Sequence, residues 1–256
     1  MRPAIGAFSI ELIIQRKPSL PRAAPARQPI KHRERSNPNR RGPTRRTTLA
    51  DNKCACTLIL MPLPRTDRRY REEEYLELEK SADSKSEFFD GEIFAVAGAS
   101  FRRTLISMNL GAELNALLRG KPCTSHSSDL KVKSEPTGLI AYPDVSVICG
   151  PPVFAEGTGN VVTNPTLLAE VLSDSTEAYD RGAKFELSRH IPALREYLLV
   201  SQRAPRVERF LRQSDGAWIW SEATGLNAGL DLPSLGLTLS LANVFAKVAF
   251  EPLPKT

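Results

Sequence analysis

A chain of 256 residues with 41% hydrophobic and 25% charged residues has the balance of a globular protein, and no run of 18 or more apolar residues provides a membrane-spanning helix. Four scattered cysteines exclude a disulfide scaffold and point to a reducing, cytoplasmic setting. The net charge of +6 comes from the front of the chain: residues 1–60 hold 13 Lys or Arg against 3 Asp or Glu, and the rest holds 22 against 26. Overall basicity is therefore no argument for a nucleic-acid-binding domain.

Residues 1–60 also hold 7 of the 20 prolines and lack a helical or strand period, which predicts a disordered basic extension. Three readings compete: an arm for nucleic-acid phosphates, an organelle transit peptide, and a stretch upstream of a native start at Met61. The third fits best, because regular patterning begins only after Met61.

The spacing predicts a helix over Arg68–Lys80, two short strands around an Asp-Gly turn in Glu87–Val96, and an amphipathic helix over Phe101–Arg119 closed by Gly120. Strands are predicted at Ser127–Val132, Pro143–Cys149 and Thr166–Leu172, the last two apolar enough for a sheet centre. A helix follows over Thr176–Ile191, with Tyr179, Ala183, Leu187 and Ile191 as its inward stripe and Asp174 with Glu177 as a capping-box variant. Strands at Arg195–Ser201, Arg206–Gln213 and Ala217–Glu222 precede a loop-rich tail. The whole reads as one α/β (α+β) domain over 66–250.

Two acids stand where a fold alone would not put them. Asp144 opens the apolar strand after Pro143, and Glu170 lies inside Leu167-Leu168-Ala169-Glu170-Val171-Leu172. An unpaired carboxylate in such a strand costs several kcal/mol. If the strands are neighbours, both carboxylates project from one sheet edge and offer hard oxygen ligands to Mg²⁺ or Mn²⁺. The plainer alternative is a buried acid paired with Arg or Lys. Lys184, at the edge of the helix stripe, can join this site or merely pair with Asp180 one turn earlier. Glu87 and Asp129 are further candidate acids. The three histidines do not cluster, and no Cys/His nucleophile or phosphate-cradling glycine loop is present.

Taken together, these residues resemble the PD-(D/E)XK nuclease pattern, and most closely the Uma-two family of restriction-endonuclease-like proteins. The resemblance runs from Tyr70 to Val248. It is carried by Glu87-Phe-Phe-Asp-Gly-Glu-Ile, Asp129-Leu-Lys-Val132, Tyr142-Pro-Asp-Val145, Glu170-Val-Leu-Ser173, Asp180-Arg-Gly-Ala-Lys184 and Glu196-Tyr197, in order and at matching spacing. It implies a restriction-endonuclease-like mixed sheet flanked by helices and Mg²⁺-dependent cleavage of DNA. It implies Asp144 and Glu170 as metal ligands, Glu87 as an early acid of the site, and Lys184 as the catalytic lysine. Three positions depart from the pattern: Leu172 stands where the simple motif has its lysine, Arg103 where a His is expected, and Ser188 where a Tyr is expected.

On this reading Asp144→Ala, Glu170→Gln and Lys184→Ala each remove Mg²⁺-dependent nicking and leave the fold intact. Arg102, Arg103, Lys131, Lys133, Arg181 and Arg189 are the cations available for a DNA groove. Gly150–Asn164 is either a substrate lid or a tolerated surface loop. A homodimer is the base-rate expectation. The rival readings are a noncatalytic nucleic-acid-binding or regulatory module and a metal-dependent hydrolase of another substrate.

Overall fold

The computed structural model describes residues 68–96 and 98–250. The expectations for residues 1–60, including the basic extension, and for the start at Met61 lie outside them. Helix α1 (Glu72–Lys80) precedes the hairpin β1 (Ser86–Phe89) and β2 (Glu92–Ala95). Its turn is the predicted Asp-Gly pair: Asp90 and Gly91 both have positive φ, +47° and +76°, which suits the twist of a two-residue hairpin loop. Helix α2 (Phe101–Leu117) starts where the Ser100 hydroxyl accepts from the Arg103 amide, and it buries Ile106, Leu110 and Leu114 as its spacing predicts.

Next come β3 (Cys123–Ser127), β4 (Lys131–Ser134), β5 (Leu139–Ala141), β6 (Val145–Cys149), β7 (Val161–Val162) and β8 (Leu167–Val171). The single strand expected at Ser127–Val132 is in fact the end of β3, a turn, and the start of β4. Ser128 and Asp129 are turn formers, and the hydrogen bonds between Ser127 and Asp129 outcompete the ladder. Helix α3 is one helical segment in three parts: Glu177–Tyr179, a π-helical turn Asp180–Lys184, and Phe185–Ser188. Strands β9 (Glu196–Val200), β10 (Arg206–Arg212) and β11 (Trp218–Thr224) follow as predicted. The tail expected to be loops instead holds the hairpin β12 (Gly229–Leu232) and β13 (Leu237–Ser240) and the short helix α4 (Leu241–Val244).

Two larger sheets form, in the orders β2-β1-β5-β4-β7 and β11-β10-β9-β8-β6-β3. The six-stranded sheet is mixed: β8 runs parallel to β9 and antiparallel to β6. Its two faces separate the core by strand alternation. Val145, Val147, Leu167, Ala169, Val171, Leu198 and Val200 pack against α2 and the β12–β13 hairpin. Ile148, Leu168, Tyr197 and Leu199 face the other way, toward α3 and Val132 of the five-stranded sheet. Glu170 shares that second face with Leu168, as the two-residue period requires.

Cys123 and Cys149 stand opposite each other in the β3–β6 register and form a disulfide. The cysteines thus carry no argument for a reducing compartment. The Gly150–Asn164 stretch is held down: β7 pairs parallel with β4, Phe154 bridges Val162, and the Asn164 side-chain amide bonds both Val153 and Pro151. Its residues Val161–Val162 form the edge strand of the five-stranded sheet. No helix among the described residues is long and apolar enough to cross a membrane.

Candidate active site

The site is built around two strands and one helix. β6 and β8 pair antiparallel with Val145 opposite Ala169, so one register step further Asp144 stands opposite Glu170, the arrangement expected if the strands were neighbours. Asp144 is 8% exposed and Glu170 is fully buried. Pro143 ends the ladder, and Asp144 Oδ2 takes over by accepting from the Val171 amide at 2.8 Å. The same oxygen accepts from Arg103 Nη2 at 2.8 Å and Nε at 3.3 Å.

Across the gap, β1 of the other sheet supplies Glu87 and α3 supplies Lys184. The Lys184 ammonium donates to Glu87 Oε1 at 2.9 Å and lies 2.9 Å from Glu170 Oε1 and 4.0 Å from Asp180 Oδ1. The approach to Glu170 is off the direction of a hydrogen bond, so neither Glu170 oxygen has a hydrogen-bond partner; nor does Asp180 Oδ2. Glu87 also accepts from the Tyr179 hydroxyl at 3.1 Å and the Tyr142 amide at 3.4 Å. Tyr197 donates its hydroxyl to the Asp180 carbonyl and braces the π turn from below.

Burial works against the Lys184 ammonium, but Glu170, Glu87 and Asp180 outweigh it and hold its pKa well above the ordinary value. Burial pushes Glu170 well above the carboxylate range; Lys184 pulls it back, while Asp180, Asp144 and Glu87 push further. Asp180 is raised for the same reason, burial first, with Lys184 opposing. One ammonium therefore serves three carboxyl groups.

Glu87, Asp144, Glu170 and Lys184 thus converge, while Asp129 does not. Asp129 sits exposed in the β3–β4 turn and pairs with Lys85 at 2.5 Å. Asp180, Tyr179 and Tyr197 belong to the site and were not singled out for it by the sequence. Of the expected stripe on α3 Ile191 is buried, but within the helix the inward face is a different one: Thr176, Asp180, Lys184 and Ser188 are buried, Ala183 is exposed, and Tyr179 and Leu187 are half-buried. A π turn adds a residue to one turn and so shifts the helix face, a departure common at functional sites. The capping-box variant is absent too; Asp174 instead pairs with Arg203 at 2.5 Å.

The helix is pinned by a second cluster. Arg181 clamps Glu208 of β10 with two bonds of 2.6 and 2.7 Å, and Trp220 and Arg206 add to the same carboxylate. The Arg181 clamp, chiefly, holds the Glu208 carboxyl below the ordinary range. Its contribution is present above the ordinary carboxylate pKa and is lost as pH falls through the lowered one. Glu208→Gln is therefore expected to lower stability by about 1–3 kcal/mol at pH 7, with the difference from wild type closing in acid. Urea midpoints measured from pH 3 to 8 check both.

The other proposed groove cations are engaged elsewhere: Lys131 with Glu79, Lys133 with Glu72 and Glu135, and Arg189 with Glu186. Arg103 faces the site. Among the described residues no three His, Cys, Asp or Glu side chains are grouped as a ready-made metal centre. The donor chemistry nevertheless fits a hard divalent cation. Every acid of the site offers carboxylate oxygen, both Glu170 oxygens are orphaned, and among the described residues its four carboxyl groups are paired with two cations, Lys184 and Arg103.

The family model described as "Uma2: Putative restriction endonuclease" matches residues 72–242. Two Synechocystis sp. relatives, the uncharacterized proteins slr1290 and sll1609, are 38% and 39% identical over 178 and 158 residues. The matches cover 70% and 62% of this chain and 92% and 89% of those proteins. A crystal structure titled as a putative nuclease belonging to DUF820, from Anabaena variabilis, aligns with a TM-score of 0.57 at 17% identity, over 69% of this chain and 98% of that one. It shares the fold. With the family model matching residues 72–242, the chain belongs to the Uma2 family of restriction-endonuclease-like proteins.

Proposed function

We propose that this protein is a metal-dependent endonuclease that hydrolyses phosphodiester bonds of DNA. The observation that carries the reading is the facing of Asp144 and Glu170 across β6 and β8, with the Lys184 ammonium 2.9 Å from Glu170. Family membership supports a nucleic acid as substrate. Asp144 and Glu170 would hold the ion, Mg²⁺ or Mn²⁺, with water completing its shell, since Mg²⁺ is usually held by one or two carboxylates. When bound, such an ion stabilises charge on the phosphoryl oxygens and lowers the pKa of a water.

The chain's own residues do the rest. Lys184 keeps its proton, so it acts as a cation that orients the attacking water or neutralises the phosphate, rather than as a base. Glu87 and Asp180 fix its position. Tyr179 and the Tyr142 amide fix Glu87 in turn.

A nuclease assay with Mg²⁺ and EDTA arms, on duplex DNA, single strands and RNA, tests this. Duplex DNA is expected to be nicked with Mg²⁺ and untouched with EDTA; cleavage unaffected by EDTA contradicts the metal role, and cleavage of RNA alone contradicts DNA as the substrate. One observation favours the noncatalytic module: Arg103 already occupies Asp144. DNA binding with no cleavage and no metal uptake would select it.

A further inference from the structure

We propose that Arg103 is an exchangeable counter-ion of this site, holding the Asp144 carboxylate in the metal-free protein and competing with a divalent cation for it. The proposal rests on the reading of Asp144 and Glu170 as metal ligands. Both Arg103 bonds go to one oxygen, Oδ2, and not to two oxygens as a parallel fork. Single-oxygen attachment lacks the second, geometrically fixed bond of a bidentate pair and is the easier of the two to exchange. Asp144 has a second anchor, the Val171 amide at 2.8 Å, in which the guanidinium takes no part.

The arginine, in contrast, is delivered to the site by a closed chain of hydrogen bonds. Its amide donates to the Ser100 hydroxyl at the α2 N-cap. Ser100 Oγ donates to Gln202 Oε1 at 2.8 Å, and Gln202 Nε2 donates to the Leu172 carbonyl at 2.6 Å. Leu172 follows the Val171 amide that binds Asp144, which closes the ring. The first turn of α2 is thereby tied to the end of β8 beside Glu170, and the Arg103 side chain is 12% exposed. Such a placement is built; a solvent-facing arginine at a helix start would show none of it.

Charge gives the placement a purpose. With Arg103 and Lys184 inside, the four carboxyl groups are still in excess, and Arg103 feels Asp144 most, then Glu170 and Asp180. It stands in the field that would draw a divalent cation. Any such cation reaches Asp144 only by displacing this positive charge or by tolerating its repulsion.

Isothermal titration of Mn²⁺ into the full-length wild type, Arg103→Met, Arg103→Gln and Asp144→Asn tests this, with thermal unfolding of each protein with and without Mn²⁺. Arg103→Met and Arg103→Gln are each expected to bind Mn²⁺ about 10-fold more tightly or better, the scale of a lost charged hydrogen bond. Mn²⁺ should raise their unfolding midpoints by more than it raises the wild type's. Equal or weaker Mn²⁺ affinity in both Arg103 variants, with binding lost in Asp144→Asn, overturns the counter-ion role and leaves the metal site standing. No Mn²⁺ uptake by any of the four proteins overturns both.

Discussion

Asp144→Asn and Glu170→Gln are each expected to lower Mg²⁺-dependent DNA cleavage by more than about 100-fold, beyond what loss of supporting groups around a metal usually costs. Both substitutions preserve shape. In Asp144→Asn the side-chain carbonyl still accepts from the Val171 amide, which Asp144→Ala would leave without its partner. Glu170 is fully buried 2.9 Å from the Lys184 ammonium, so the effect of Glu170→Gln on the fold is read from its unfolding midpoint. A midpoint within a few degrees of wild type, together with lost cleavage, separates chemistry from folding. Cleavage at the wild-type rate in both variants would remove these residues from the site.

Lys184→Met is expected to behave differently and to cost stability as well as cleavage. Lys184 is 4% exposed and is the cation within 4.0 Å of Glu87, Glu170 and Asp180. Removing it leaves three enclosed carboxyl groups with no ammonium among them, a loss of about 3–5 kcal/mol for a broken buried pair. That is a large share of the roughly 5–15 kcal/mol typical of a domain.

The sign of the pH effect follows from the raised carboxyl pKa values. A buried acid with a raised folded pKa contributes fully below its unfolded value, and that contribution fades as pH rises through the folded one. Without Lys184 to oppose them, Glu170 and Asp180 rise further. The stability of Lys184→Met should therefore fall from pH 5 to pH 8 more steeply than the wild type's. Urea unfolding at those two pH values measures it, and a pH-independent loss would contradict the role of Lys184 as the shared cation.

The site's strands were readable because a two-residue period admits few choices. Glu170 had to share a face with Leu168, and Pro143 had to end the ladder where Asp144 stands. Helix α2 was readable for a similar reason, through Ile106, Leu110 and Leu114. The extent of helix α3 was readable as well, but its inward face was not, because that face carries Thr176, Asp180, Lys184 and Ser188 rather than apolar residues. Hydrophobic periodicity finds a stripe that packs, and this stripe is buried by ion pairing across a π turn.

The β12–β13 hairpin was missed although Pro233-Ser234-Leu235-Gly236 is turn chemistry, with Gly236 at φ +61°. Its strands alternate too briefly to stand out. Arg103 was legible as a departure from a family pattern and as a groove cation, not as a partner of Asp144; that pairing goes with the α2 N-cap meeting Gln202, a contact 102 residues apart in sequence. Asp180 was legible only as a one-turn partner of Lys184, since nothing local says that the pair is buried.

Anomalous diffraction from a crystal soaked in Mn²⁺ tests most directly whether Asp144 and Glu170 share one ion, as proposed. A single anomalous peak between the two carboxylates, with Arg103 drawn away from Asp144, is the predicted result. A peak bound elsewhere, or full soaking with Asp144 still on Arg103 and Glu170 still facing Lys184 alone, would contradict it.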